Sequence, residues 1–306
     1  MPIGDIIFMI AGAGAFLYFT FSANQIINQG TRFAPYQIVI GIIGIAALIE
    51  LTRRCVGLPI LFVAGFFLIY ALAVGLTNPA FLGRVKFLVR NLFYTKEGIF
   101  STPVNVCSKY IVVFIIFGAF LERTGISNFF IQLANCIAGK YAGGPAKIAV
   151  ISSALCGMVS GSSVGNTVTT GSVTIPMMKD TGYKPEFAGA VEAASSTGGQ
   201  IMPPIMGAAA FLMADFVGVP YSNIIVRAIL PALLYFTGIF ISVHLEAKKL
   251  GLSGIPKEKL PVFKLLIRKI YLLLPLVMLV IWVSGNYMTM QKAALSLIHI
   301  SEPTRP

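Results

Sequence analysis

The sequence predicts an all-α polytopic membrane protein that contains one re-entrant helical hairpin and one broken helix. Of the 306 residues, 57% are hydrophobic and 11% are charged, whereas soluble domains carry about 25% charged residues. The mean hydropathy is +0.85. Two of the uncharged stretches are rich in Gly, Ser, Thr and Pro, which does not suit a plain membrane-spanning helix. This composition argues against a soluble enzyme, a disordered chain and a nucleic-acid-binding domain.

The individual spans follow from apolar runs, because a helix needs about 20 apolar residues to cross a bilayer. The runs that qualify or come close are Ile3–Phe21, Pro35–Leu51, Leu58–Leu76, Val104–Leu121, Ile148–Met178, Ala193–Ala214, Ala228–Leu245 and Ile270–Gln291. Two other stretches, Phe81–Tyr94 and Phe129–Ala138, are amphipathic or short. Each suits either a helix lying along the membrane interface or an ordinary connecting helix packed on the protein.

The charge distribution indicates which loops face the cytoplasm. The net charge is +12, and basic residues are concentrated between Glu246 and Lys269, in a short loop between two apolar runs. Arg53 and Arg54 similarly follow the second run. Cytoplasmic loops are enriched in Lys and Arg, so we place both loops there; contact with anionic lipid is compatible with this placement. The four cysteines form no C-x-x-C pair, so we predict packing roles rather than a zinc site.

The run Ile148–Met178 is uncharged but polar. It is too long for one crossing and barely long enough for two, and its glycines permit a sharp turn, so we predict a hairpin with its tip at Ser160–Thr167. Hydroxyls, the Asn166 amide oxygen and free carbonyls are hard, neutral ligands that suit a monovalent cation without help from carboxylates. The alternative is close helix packing through small residues at four-residue spacing, at Gly157, Gly161 and Gly165.

The run Ala193–Ala214 contains Gly198-Gly199 followed by Pro203-Pro204, and a helix cannot continue through that sequence. Broken helices expose carbonyls at one half-helix and amides at the other, and transporters use them for cations and anions. A simple kink is the alternative. Glu192 and Asp215 flank the segment, where a proton relay and plain interfacial placement both remain open.

One catalytic motif offers a different function. Residues 161–165 match G-x-S-x-G, which suggests an intramembrane serine hydrolase using Ser163, although that motif needs a strand–turn–helix context and a reachable histidine. A passive channel is a further alternative. No G-x-x-x-x-G-K-[ST] motif occurs, so we predict no ATP-binding loop. Any driving energy must then come from an ion gradient or another subunit.

The polar segments resemble the large membrane subunit of tripartite ATP-independent periplasmic (TRAP) transporters. The resemblance spans about residues 30–252 and is closest to the fused-permease branch. The segments that carry it are Glu97–Phe100, Gly143–Lys147, Ser160–Asn166, Thr169–Ser172, Ile175-Pro176, Thr181–Tyr183, Pro185–Ala194, Thr197–Gln200, Pro203-Pro204 and Met206–Phe211.

The resemblance implies an ion-transporter-superfamily elevator fold and sodium-coupled secondary transport rather than an enzymatic activity. Sodium would be the coupling ion, with no covalent cofactor, and a periplasmic solute-binding protein, expected to be of the TAXI type, would deliver a small carboxylate-type anion. The location implied is the bacterial inner membrane, with no nucleic acid and no ATP as partners. The implied sodium ligands are Ser160, Gly161, Ser163, Asn166, Ser196, Gly198 and Gly199. The implied substrate contacts are Ser162, Ser163, Asn166, Thr167, Thr197, Gln200, Pro203 and Pro204.

The same resemblance divides the chain into three parts. Residues 1–95 correspond to small-subunit-like transmembrane helices plus an amphipathic arm, and residues 96–292 to the first half of the large transport subunit. We expect residues 293–306 to be a non-native tail. The family's large subunit normally holds two inverted repeats, whereas one hairpin and one break occur here. We therefore expect a truncated permease that lacks half of the transport site, including any second sodium site.

Overall fold

Helices form the regular secondary structure throughout the described residues. The computed structural model describes residues 3–30, 33–74, 80–256, 258, 260–261, 263–285 and 287–301. The first helices are α1 (Ile3–Gln29), α2 (Pro35–Cys55), α3 (Leu58–Val74), α4 (Phe81–Phe93), α5 (Thr102–Val106), α6 (Val112–Arg123) and α7 (Ile126–Ala138). They are followed by α8 (Gly144–Ser160), α9 (Ser163–Asp180), α10 (Pro185–Gly199), α11 (Ala208–Val217), α12 (Tyr221–Lys249), α13 (Phe263–Ile267), α14 (Leu274–Ser284) and α15 (Met290–Ser301).

Several of these helices are long and apolar enough to cross a membrane. Within the described ranges, the candidates are Gly4–Gln29, Pro35–Cys55, Thr102–Arg123 and Tyr221–Lys249. The third contains a π-helical turn, Cys107–Ile111, between α5 and α6. These spans confirm the predicted all-α polytopic membrane class. The prediction of one span over residues 270–291 was wrong, because a 3-10 turn precedes α14 and the chain leaves the helix before α15 begins.

The chain forms two compact units, Met1–Asn105 and Val106–Pro306. In the first unit, a 2.6 Å ion pair between Arg54 Nη2 and Asp5 Oδ1 joins the end of α2 to the start of α1, so these helices run antiparallel. Arg53 and Arg54 therefore belong to the last turn of α2 rather than to the loop that follows. The division into residues 1–95, 96–292 and 293–306 remains a prediction.

The core of the first unit is a cluster of aromatic rings around the fully buried Phe93 of α4. Its ring contacts Phe16, Phe19 and Phe100, with centroid separations of 5.4, 6.0 and 5.7 Å. Helix α4 packs against α2 through this face. The exposed apolar side chains of α4 are Phe81, Leu82 and Phe87. The packed face agrees with a connecting helix, and the exposed face leaves the interfacial role a prediction.

The second unit is built around α7, α8, α9 and α10, with α12 packed on α8 and α10. Helix α7 buries Phe129, Phe130 and Ala134 against this bundle. This packing agrees with a connecting helix over Phe129–Ala138, and the interfacial interpretation stays a prediction. Helix α15 packs against α6 and buries Leu297. The remainder of the predicted tail, residues 302–306, lies outside the described residues.

Candidate ion and substrate site

The predicted hairpin is formed by α8 and α9. Helix α8 ends at Ser160 because Gly161 adopts the left-handed conformation, with φ of 60°, which favours glycine. Ser162 then caps α9, its Oγ accepting a hydrogen bond from the Gly165 amide at 3.2 Å. The turn therefore occupies residues 161–162, and Thr167 already lies within α9.

The predicted break lies between α10 and α11. Helix α10 ends at Gly199, α11 begins at Ala208, and the intervening loop is closed by a 2.6 Å hydrogen bond from the Gly207 amide to the Gln200 carbonyl. The Tyr221 hydroxyl of α12 donates to the carbonyls of Pro204 and Ile205 at 3.1 and 2.9 Å. The interruption is therefore a defined loop rather than a simple kink.

The hairpin and the break meet at two places. Gly157 of α8 lies directly against Gly199 at the end of α10, so closely that a side chain on either residue would collide with the other backbone. Nearer the tip, the Gln200 Nε2 donates to Ser163 Oγ at 3.0 Å. Gly161 lies against the Met206 carbonyl. Both interpretations of the glycine pattern hold in part, since Gly157 serves packing and Gly161 serves the turn.

A carboxylate lies beneath this junction. Glu192 of α10 is fully buried. It accepts hydrogen bonds from Ser153 Oγ at 2.7 Å and Ser196 Oγ at 3.1 Å, and from the hydroxyls of Thr170 and Thr174. Glu192 therefore lies inside the helix bundle, so a carboxylate is present beside the two polar stretches. That neutral oxygens alone contact a cation there stays a prediction. Asp215, by contrast, is exposed.

A sequence signal for this carboxylate existed in the polar spacing of α9. Asn166, Thr170 and Thr174 recur every four residues, so they share one helix face, and all three are buried. A buried face of hydroxyls requires polar partners. The uncharged run cannot supply a carboxylate, whereas Glu192 on the next helix can.

The Asn166 side chain is held in one orientation. Its Nδ2 donates to the Ser153 carbonyl at 2.8 Å, and a carbonyl can only accept, which fixes the direction of the amide. The Asn166 Oδ1 is buried and has no hydrogen-bond partner in the described part of the chain, and the same holds for Ser195 Oγ. Buried polar atoms are normally satisfied, so this unpartnered Oδ1 is an oxygen that could accept a contact from a ligand.

Several of the predicted hydroxyl ligands already donate their proton to another group. The Thr167 and Thr197 hydroxyls donate back to carbonyls of their own helices, those of Ser163 and Ala193, at 2.9 and 2.8 Å. Ser196 donates to the buried carboxylate. These hydroxyls can offer only their lone pairs to a ligand. Thr197 is also exposed and away from the hairpin contacts, so the structure does not bring it to the junction.

The remaining predicted residues divide between the junction and its surroundings. Ser160 makes weak 3.4 Å contacts with Ser162. Gly198 is buried against the ring of Tyr235, on the side of α12. Pro203 and Pro204 lie in the loop, joined by a cis peptide bond. The residues gathered at the contact itself are Gly161, Ser163, Asn166, Gly199 and Gln200.

Comparisons with known proteins identify the family. A model of the tripartite ATP-independent periplasmic transporter DctM component matches residues 43–300. This chain belongs to that TRAP transporter family. It is 26% identical over 203 residues to the C4-dicarboxylate TRAP transporter large permease protein DctM of Pseudomonas aeruginosa, covering 66% of this chain and 47% of that protein. It is 25% identical over 144 residues to the sialic acid TRAP transporter permease protein SiaT of Haemophilus influenzae, covering 47% and 23%.

Membership of the TRAP family makes the chain a multi-pass inner-membrane protein, as predicted. The chain spans less than half the length of these curated relatives. The relatives' names describe permeases.

The serine hydrolase alternative does not fit the geometry around Ser163. The motif at residues 161–165 follows helix α8, whereas a nucleophile elbow follows a strand. Ser163 Oγ contacts the Gln200 amide rather than a histidine. His244 Nδ1 lies 3.0 Å from Lys147 Nζ, and Lys147 is in the first turn of α8, at the opposite end from the hairpin tip.

Proposed function

We propose that this chain is the membrane permease component of a sodium-coupled TRAP secondary transporter that takes up a small carboxylate-type solute. A periplasmic solute-binding protein, of the TAXI type, would deliver the solute. The relatives' names support an organic anion as substrate, since they specify C4-dicarboxylate, sialic acid and isethionate. Coupling to sodium supplies the energy for uptake.

The unsatisfied, buried Asn166 Oδ1 carries the proposal for sodium. The Asn166 amide lies beside Gly199, where α10 ends, and the carboxyl ends of helices carry partial negative charge and exposed carbonyls. Oxygen ligands of this kind suit a hard monovalent cation. We propose that the sodium ligands come from Ser160, Gly161, Ser163, Asn166, Ser196 and Gly199, without Gly198, which faces Tyr235 of α12.

Two helix amino ends meet the same junction and support an anion beside the cation. Helix α9 begins at Ser163, and α11 begins at Ala208, directly after the loop that contacts Gly161. Amino ends of helices favour anionic groups such as a carboxylate. We propose that the substrate contacts come from Ser162, Ser163, Asn166, Thr167, Gln200, Pro203 and Pro204, without the exposed Thr197. An elevator-type movement of the hairpin and break would carry both ligands.

The test is the sodium dependence of uptake by a transporter that contains this chain, reconstituted with its binding protein in proteoliposomes. Asn166→Ala removes the free amide oxygen, so the sodium concentration for half-maximal uptake should rise about tenfold or more. Ser172→Ala, an exposed hydroxyl on the same helix, is the matched control and should change nothing. An unaltered sodium requirement in Asn166→Ala would contradict the site. Uptake that needs no binding protein would favour a passive channel.

A further inference from the structure

Glu192 is a buried carboxylate whose partners carry no charge. Its four donors are the hydroxyls of Ser153, Thr170, Thr174 and Ser196. In the part of the chain that the structure describes, no lysine, arginine or histidine forms an ion pair with Glu192.

Such a carboxylate is only partly stabilised. Hydrogen bonds from hydroxyls favour the charged form of a carboxyl group, but a buried charge without an opposite charge remains unfavourable compared with a paired one. Each hydroxyl has a single proton to donate. Thr170 and Thr174 are also within hydrogen-bonding distance of the backbone carbonyls of Asn166 and Thr170, at 2.8 and 3.0 Å. A nearby cation would supply the missing compensation.

The same network connects Glu192 to the free oxygen of Asn166. Glu192 Oε1 accepts from Ser153 Oγ at 2.7 Å, and the Ser153 carbonyl accepts from Asn166 Nδ2 at 2.8 Å. The carboxylate therefore lies two hydrogen bonds from the amide that presents Oδ1 to the junction. Through Ser153, it also contributes to holding that amide in place.

We infer that Glu192 is the countercharge of the candidate cation site and a positioning residue for Asn166. This inference rests on the proposed sodium coupling and extends it. Neutral oxygens would contact the cation, while the carboxylate beneath them lowers the electrostatic cost of a positive charge inside the membrane. A carboxylate that does not itself touch the cation leaves the contact shell neutral, which is compatible with release as well as binding.

The experiment measures thermal unfolding of the purified chain in detergent at constant pH. Sodium chloride is titrated against choline chloride at constant ionic strength, and the midpoint of the sodium-dependent stabilisation is recorded. Glu192→Gln keeps the size of the side chain and removes its charge. We expect the sodium midpoint to rise at least about tenfold, while the melting temperature without sodium stays equal to that of the wild type or increases. Glu186→Gln, an exposed carboxylate in the first turn of α10, is the matched control and should leave both values unchanged.

A second variant separates charge from structure. Thr174→Val keeps the shape of the side chain but removes one donor to Glu192, which leaves the carboxylate less compensated. If Glu192 is the countercharge, sodium then stabilises Thr174→Val more strongly than it stabilises the wild type. The sodium midpoint of the variant should therefore be about two- to threefold lower. A purely structural role would move both variants in the same direction, which would overturn the inference. If Glu192→Gln does not fold, Thr174→Val alone still tests the inference. A sodium midpoint above that of the wild type in this variant would overturn the countercharge role.

The outcomes also distinguish this inference from the proposed function. Sodium stabilisation of the wild type that persists unchanged in Glu192→Gln would overturn the countercharge alone. Absence of any sodium-specific stabilisation in the wild type would overturn both.

Discussion

The contact between Gly157 and Gly199 permits a quantitative prediction for Gly199→Ala. A Cβ added at Gly199 would lie 2.7 Å from the Gly157 Cα and 3.4 Å from Asn166 Nδ2. Carbon atoms in contact are normally about 3.5–4.0 Å apart, so α8 and α10 would have to separate by about 1 Å. Backbone atoms cannot rotate away as a side chain can. Overpacking of this kind costs about 1–3 kcal/mol, so we expect Gly199→Ala to lower the free energy of unfolding by that amount.

Gly189→Ala is the matched control for this prediction. Gly189 lies on the same helix, and a Cβ there would meet no atom within 4 Å. An alanine in a helix interior is favoured over glycine by about 0.5–1 kcal/mol, so this variant should be as stable as the wild type or slightly more stable. Thermal or denaturant unfolding in detergent measures both variants. Equal stability of Gly199→Ala and Gly189→Ala would refute the close backbone contact on which the site geometry depends.

Two other substitutions test the ends of the polar segments. Ser162→Ala removes the side-chain cap of α9 and should lower stability by about 1 kcal/mol, whereas Ser162→Asp retains a capping oxygen and should restore most of it in the same unfolding measurement. Tyr221→Phe keeps the ring stacked on Phe211 at 4.6 Å but leaves the carbonyls of Pro204 and Ile205 without their donor. It should cost about 1–2 kcal/mol and speed amide hydrogen exchange in residues 200–207, and unchanged exchange there would contradict the assigned role of the hydroxyl.

The sequence alone was sufficient to locate the hairpin and the break, because both depend on local chemistry. Gly161 can adopt the left-handed conformation that ends α8, and two adjacent prolines, Pro203 and Pro204, leave two successive residues without an amide donor. The position of Glu192 could not be predicted in the same way. Its donors belong to three helices and lie up to 39 residues away in sequence, at Ser153. The polar spacing of α9 indicates that a buried polar partner is needed, but the packing of the helices decides which residue supplies it. From the sequence alone, a carboxylate just before a broken segment fits a membrane edge equally well.

The helix Phe129–Ala138 illustrates a different difficulty. A short apolar segment between Arg123 and Lys140 has the composition of an interfacial helix, and also that of a helix packed inside a bundle. Contact with α8 supports the packed helix, and this contact is a tertiary property that the segment's composition does not encode.

The junction between hairpin and break has a consequence for any movement of the permease. Glycine backbones in contact and hydroxyls shared around one carboxylate tie α8, α9 and α10 together. Sliding one of these helices past another would strand a buried charge. We therefore expect any change of access in the proposed transport to keep these three helices in contact. A ligand bound between them would then have the same neighbouring atoms on both sides of the membrane.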